Sequence, residues 1–418
     1  MFSSPRSRLE LLFLVVVICL ALAVLGGLIW ANALYLRHAP PAREFLGPWL
    51  GMRLFLREGV FPYSEAAAQQ IQVWYYGRLA RQGEDPLRVT TPFFFLLLYF
   101  PFALLSDYAL AFNLWLTLNE AALVVLAFFY LRLPGWRLRR GFVPLFCLIV
   151  IFWPHTLLAL LNGGTAIPAI LAGTGALLVL KEGGKDELAG VLAVLALWQA
   201  AMTAPLVIFL CLWALAHRRW GVIWGGMMTF TILVLLAFFL IPDWFWPWLR
   251  NLLAEYRYEA GWRPLDFLTG WFPGPARRMA WLLTVVLSLL LAMEWWLARR
   301  QDVRYLLWTA SLTLAVTPLL GMRSSLAGQM ALLFPLVLTA FLAGRRWARA
   351  RRRWLPYLLL TLPFLLLWGW GARLGMLGDW QAWQTLLFWF LPLWGLLGLY
   401  WLRWYAFRLP PTWLEEEL

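Results

Sequence analysis

KEGGKDELAGVLAVLALWQAAMTAPLVIFLCLWALAHRR, residues 181–219, decides how the chain is threaded. Its apolar run, 188–217, separates Lys181 and Lys185 from Arg218 and Arg219. About 20 apolar residues suffice for one helical crossing of a bilayer. One crossing, however, would put the two basic pairs on opposite sides, whereas short loops rich in Lys and Arg stay cytoplasmic. Thr203-Ala204-Pro205 lies near the middle of the run, and an internal proline kinks or breaks a helix. The run therefore reads as two short helices, 188–202 and 204–217, that meet near the outer face.

Worked outward from there, the remaining basic clusters agree. Hydrophobic residues make up 63% of the 418 residues, and apolar runs recur along the whole chain. Between them stand Arg132 to Arg140, Arg299 to Arg304, and Arg345 to Arg353. Alternate connections carry almost no basic residues. Placed by the positive-inside rule, the spans run over 10–34, 108–131, 141–160, 165–180, the 188–217 pair, 221–241, 279–298, 303–320, 326–344, 354–371 and 384–402. The expectation is an all-α polytopic membrane protein with about twelve transmembrane helices. It forms one integral domain over 1–418 in the cell membrane, with both termini cytoplasmic. Two long outer loops remain, 35–107 and 242–278. Outside them only Arg323 and Arg373 fall on the outer side.

The segment 91–106, TPFFFLLLYFPFALLS, is apolar but short, and Pro101 interrupts it. If it crossed, every later cluster would invert. It reads instead as an outer juxtamembrane or re-entrant helix. The net charge of +14 lies in short inter-helical loops rather than on a soluble basic face, which excludes a nucleic-acid partner. Cys19, Cys147 and Cys211 sit inside apolar runs and read as core residues. The histidines His38, His155 and His217 have no metal-ligand spacing, so no metal is expected.

Chemistry is sought in the outer loops. REFLGPWLGMRLFLREGVFPYS, 43–64, places Phe45, Trp49, Met52 and Leu56 at helical spacing, with Arg53 and Arg57 one turn apart on one face. Such a helix would lie in the interface plane. Glu44 stands at its start, where the helix dipole favours a carboxylate. One reading makes Glu44 a general base on an acceptor hydroxyl, with Arg53, Arg57 and Arg88 holding a phosphate. The other is a solvated amphipathic helix with an N-terminal charge. Asn162-Gly163-Gly164-Thr165 is either a plain tight turn or a backbone approach to an anion. Glu120, beside Asn119 in a span, should face protein rather than lipid. Asp243, Glu255, Glu259 and Asp266 stand among aromatics in the second loop.

These features together resemble the integral membrane glycosyltransferases of the GT-C superfamily, most closely glycosyltransferase family 87. A first span leads into a long outer loop with an acidic residue near its start. An aromatic-rich helix follows, ending in a Gly-x-x-Pro-Tyr-like element; here that is Glu44-Phe45-Leu46-Gly47 through Gly59-Val60-Phe61-Pro62-Tyr63-Ser64. Thr91-Pro92-Phe93, the Asn162 turn, the break around Pro205 and Leu333-Phe334-Pro335-Leu336 continue the similarity. Three positions depart from it: Glu44 replaces an Asp, Thr91 an aromatic residue, and Ala204 a Lys.

The resemblance implies inverting transfer of a sugar, mannose in that family, from a polyprenyl-phosphate donor to a glycan or glycolipid acceptor at the outer face. Glu44 would be the base. Arg53, Arg57, Tyr63, Arg88, Asn162 and Arg323 would serve substrate and phosphate. The lipid-linked sugar phosphate is a co-substrate and no cofactor is implied; membrane lipids are the other partners. The alternatives are a non-catalytic lipid-binding or assembly protein and a transporter or flippase of lipid-linked substrates. A transporter would show internal repeats and a charged midplane path.

The threading makes a direct prediction. Single cysteines introduced near positions 75 and 348 should be labelled by a membrane-impermeant thiol reagent from opposite sides of the membrane. Labelling from the same side would overturn the orientation.

Overall fold

The computed structural model describes residues 5–255, 262–321, 323–347 and 354–407. Arg349, Glu259 and the 348–353 cluster lie outside them. The helices in chain order are α1 (Pro5–Leu36), α2 (Arg43–Glu58), α3 (Glu65–Tyr76), α4 (Phe93–Leu96), α5 (Phe100–Ala103), α6 (Tyr108–Arg132), α7 (Val143–Ile151), α8 (Pro154–Asn162), α9 (Ala166–Glu182) and α10 (Asp186–Ala196). After these come α11 (Ala200–Ala216), α12 (Trp220–Leu240), α13 (Phe245–Glu255), α14 (Pro264–Trp271), α15 (Ala276–Ala298), α16 (Val303–Val316), α17 (Leu333–Trp347), α18 (Leu355–Met376), α19 (Trp380–Trp401) and α20 (Arg403–Phe407). They form two compact units. The first holds residues 1–121 and 243–257, the second 122–242 and 258–418.

Among the described residues seven helical runs are long and apolar enough to cross a membrane, and α7 with α8 makes one more if their 54° bend is counted as a single broken span. The all-α polytopic class therefore stands, while length alone does not give twelve crossings. Part of the difference is physical. The helices α9 and α16 have 17 and 14 residues, yet both are largely buried in protein. A helix sheathed by its neighbours need not match the lipid thickness.

In the second unit, residues Asp186–Ala216 are nearly continuous helix, long enough for one crossing. A straight helix of that length would extend about 46 Å. Instead Arg219, just past its end, pairs with Asp186 at its start and donates to Leu180 O at 2.8 Å. The run is a hairpin, as the charge pattern required. Its break lies at Leu197–Gln199 rather than at Pro205, which sits inside α11. Gln199 has φ −115° and ψ 57°, outside the helical region. Thr203 Oγ1 then donates to Ala196 O (2.6 Å) and Gln199 O (3.1 Å), the carbonyls that the break releases.

The returning chain packs α10 on α12 at very short range. A Cβ on Gly190 would meet Val222 O at 2.1 Å, and one on Gly225 would meet Glu187 O at 2.2 Å. The hairpin puts its basic ends with the others. Arg132 pairs with Glu182 (2.5 Å), Lys181 donates to Arg132 O (2.7 Å), and His217 Nε2 lies 3.0 Å from Gln301 O. One cavity is lined by Lys181, Arg304 and Arg345 together. The clusters that sequence assigns to one side thus share one end of this unit.

At that end the fully buried Glu294 binds Arg403 through both oxygens, at 2.5 and 3.0 Å. Tyr305 and Tyr400 hydroxyls donate to it at 2.9 and 3.0 Å, which ties α15, α16, α19 and α20. A buried carboxylate so surrounded loses several kcal/mol when its partner is removed.

Adding even a small side chain at α10–α12 should force the pair apart. Gly190→Val should lower stability by about 1–3 kcal/mol or more. Gly27→Val, at a helical glycine with open space around it, should be close to neutral. Thermal unfolding of the two purified variants, followed by tryptophan fluorescence, checks the contrast.

Candidate active site

In the first unit α2 is fixed by its apolar stripe. Phe45 is fully buried, with ring centroids of Tyr99, Phe112 and Trp115 within 5.9 Å. Trp49 Nε1 donates to Phe102 O at 2.9 Å. The stripe foreseen for the membrane interface is therefore covered by protein. Pro48 stands inside the helix without ending it, and Gly59 closes it at φ +66°.

The piece 93–103 is a short helix interrupted by a 3-10 turn at Leu97–Tyr99. At about 1.5 Å per residue it is too short to cross a 30 Å hydrocarbon core. It lies on α2. Phe93 meets Phe55 at 5.6 Å, and the carbonyls at its other end receive Arg53 and Arg57.

Each site residue foreseen in this unit has a definite place. Glu44 occupies the first turn of α2, half-buried, next to the locked Phe45. Burial, with the nearby Glu44 carboxylate adding to it, holds the Tyr99 phenol well above its ordinary range. Arg53 Nη1 donates to Leu105 O (3.0 Å) and Ala103 O (3.4 Å), and Arg57 Nη2 to Leu104 O (3.4 Å). Both guanidinium groups thus serve carbonyls that the end of α5 leaves over. Arg88 pairs with Glu65 at 2.9 Å. The buried Tyr63 hydroxyl donates to Thr91 O at 2.7 Å, and burial pushes its ionisation up, so it stays a neutral donor.

Other groups complete the loop and were not singled out by sequence. Arg43, beside Glu44, pairs with Asp85, and Asp85 Oδ1 accepts from Leu87 N at 2.8 Å. That turn holds Leu87 at φ +49°, a strained value for a branched side chain. Arg78 grips Glu84 with two bonds of 2.7 Å. That grip, with the Arg81 amide, holds the Glu84 carboxyl down at about 2. From the second loop, α13 docks here. Trp248 Nε1 donates to Thr90 O (2.7 Å), and buried Asn251 to Tyr63 O (3.3 Å) and Val89 O (3.4 Å). Glu120 faces protein as foreseen, accepting from Asn32 at 2.9 Å.

Asn162 and Arg323 belong to the second unit. Asn162 ends α8 and is exposed; Gly163 follows at φ +66°. The amides of Gly163 and Gly164 donate back to Leu160 O (3.1 Å) and Ala159 O (3.4 Å). The turn is thus a helix cap, and its two glycine amides are already used. Thr165 Oγ1 donates to Gln199 Oε1 (2.9 Å), and Gln199 reaches Ser325 at 3.5 Å. Ser324 exchanges backbone bonds with Trp262 at 3.0 and 3.2 Å. Arg323 and the Asn162 turn therefore share the end of this unit opposite its basic clusters. Among the described residues no group of three His, Cys, Asp or Glu is close enough to hold a metal ion.

A family model described as glycosyltransferase family 87 matches residues 90–322, more than half of the chain. The chain belongs to glycosyltransferase family 87. It is a multi-pass membrane protein of a glycosyltransferase family, which takes a sugar donor, an acceptor and membrane lipids as its general partners. The matched residues begin after α2, so Glu44 lies ahead of them. Neither a curated protein nor a solved structure matches significantly.

The buried hydroxyl of Tyr63 gives a test. Tyr63→Phe leaves Thr91 O without its donor in a closed site and should destabilise the fold by about 1–3 kcal/mol. Chemical denaturation of the purified protein measures it.

Proposed function

We propose that this membrane glycosyltransferase moves a sugar, mannose as its family resemblance implies, from a polyprenyl phosphate to an acceptor hydroxyl at the outer membrane face. Glu44 is the general base and the transfer inverts the anomeric carbon. The observation that carries the reading is the setting of Glu44. Glu44 is part-exposed on the first turn of a helix whose next residue, Phe45, is immobilised in an aromatic core. A base must be both reachable and held still.

In this mechanism the acceptor hydroxyl gives its proton to Glu44 as its oxygen bonds to the anomeric carbon. The bond from that carbon to the phosphate oxygen breaks in line, and polyprenyl phosphate leaves with the negative charge. Arg53 and Arg57 are suited to receive it. Each guanidinium has five N–H donors in a planar fork, and capping α5 draws on one nitrogen in each. Arg88 is exposed enough to exchange Glu65 for a phosphate. Fixed donors of this kind act most strongly where charge develops. Tyr63 supports the loop from within through Thr91. Asn162 and Arg323 stay as the polar groups at the outer end of the second unit.

Glu44→Gln should reduce transfer from a polyprenyl-phosphate sugar by about 10²–10⁴-fold while leaving donor binding and the unfolding temperature nearly unchanged. Glu44→Asp should keep measurable activity. A rate assay in proteoliposomes, paired with donor binding, decides; full activity in Glu44→Gln would remove the general base from the mechanism.

A further inference from the structure

In the first unit the outward face of α3 lines an open groove of about 810 Å³. Ala67, Ala68, Ile71 and Gln72 are buried on the packed side of the helix. Ala66, Gln69, Gln70, Val73 and Trp74 recur at helical spacing on the other side and form the groove wall, with Leu79 beyond the helix end. Gln72 spends its amide within the loop, donating to Pro86 O at 2.8 Å and accepting from Ala80 N at 2.9 Å. Gln69 and Gln70, by contrast, are exposed in the groove. The Trp74 ring meets Tyr108 at 4.7 Å and Trp49 at 6.3 Å, yet 43% of the residue stays exposed. The indole is held in place and still open to a ligand.

None of the six described lining residues is charged, so the groove offers no counter-charge to a phosphate or a charged peptide. A helix lying on a lipid surface carries a continuous apolar stripe, whereas here two amides interrupt the apolar positions. An exposed indole beside two primary amides suits a neutral, hydroxyl-rich ring. The apolar C–H face of a sugar covers the indole, and each amide offers both a donor and an acceptor to neighbouring hydroxyls. The groove also adjoins the turn that carries Glu44. The Tyr108 ring that touches Trp74 meets Phe45 at 6.0 Å, and its hydroxyl accepts from Ala42 N at 2.8 Å. One aromatic ring thus separates Trp74 from the residues that flank Glu44.

We propose that this groove is an acceptor subsite and that the acceptor is an oligosaccharide. While its reacting hydroxyl is at Glu44, the sugar residues behind it stack on Trp74 and hydrogen-bond to Gln69 and Gln70. The assignment rests on the transfer reading above and selects a glycan of several residues over a single sugar or a lipid head group.

The test uses the full-length protein in neutral detergent, with manno- and gluco-oligosaccharides of one to four residues as probes. Binding without donor is read by saturation-transfer-difference NMR, and transfer to the same acceptors by KM and kcat in proteoliposomes. In at least one series affinity should rise with acceptor length. Trp74→Ala should weaken the longer acceptors about ten-fold and leave the single sugar unchanged. Gln69→Ala combined with Gln70→Ala, at two exposed positions, should raise KM for the longer acceptors about two- to ten-fold per amide, with kcat and the unfolding temperature unchanged. Transfer to a single sugar as efficient as to the longer acceptors of both series would overturn the subsite and leave the role of Glu44 intact. So would variants that affect the single sugar as much as the longer acceptors. Length-dependent binding that both variants lose, without any transfer, would keep the glycan site and remove the transfer reading.

Discussion

The return of the chain at Leu197–Gln199 is the constraint on which the second unit depends. The Arg219–Asp186 pair and the Leu180 carbonyl hold the two ends of the hairpin side by side. The glycines at 190 and 225 allow the contact that closes it against α12. Had residues 186–216 crossed once, every later helix would be reversed, and the cations at Arg304 and Arg345 could not meet Lys181. Lipid supplies no hydrogen bonds to a broken helix, so the break has to be satisfied from within. Thr203 does this at Ala196 O and Thr165 at Trp198 O (3.3 Å), while Gln199 links Thr165 to Ser325. The same residues that permit the turn thereby build the polar end of the unit.

In the first unit the governing interaction is the burial of Phe45. Six aromatic rings lie within about 6.4 Å of it, which makes the first turn of α2 a fixed platform. The arginines farther along α2 hold the end of the 93–103 piece, and α13 braces the loop through Trp248 and Asn251. A carboxylate placed on that platform gains orientation while staying part-exposed. That is the physical ground for proposing Glu44 as the base rather than Asp85, whose side chain is nearly buried and paired with Arg43.

Features of one dimension were legible in the sequence. Charge asymmetry gave the doubling back of 188–217, and the Pro101 interruption marked a piece too short to cross. Glu120 was expected against protein and finds Asn32. The site of the break was misplaced, because Pro205 was weighed and Gln199 was not. Pro205 stands inside α11 without ending it, and the true break is set by partners 34 and 126 residues away from Gln199. The same limit hid the capping roles of Arg53 and Arg57, the Arg43–Asp85 pair, the Asn251 brace and the Glu294–Arg403 network. None has a local signature, since each depends on which distant carbonyl or ring arrives beside it. The glycines after Asn162 admitted two readings, and the bonds of their amides select the cap.

The proposed single-displacement transfer with an acidic base is recorded directly at the anomeric carbon. Purified protein in liposomes, given a polyprenyl-phosphate hexose of defined anomeric configuration labelled with carbon-13 at that carbon, can be followed by NMR through the first turnovers. The account predicts a glycoside product of opposite configuration, formed without a covalent enzyme intermediate. A product that retains the donor configuration would contradict it.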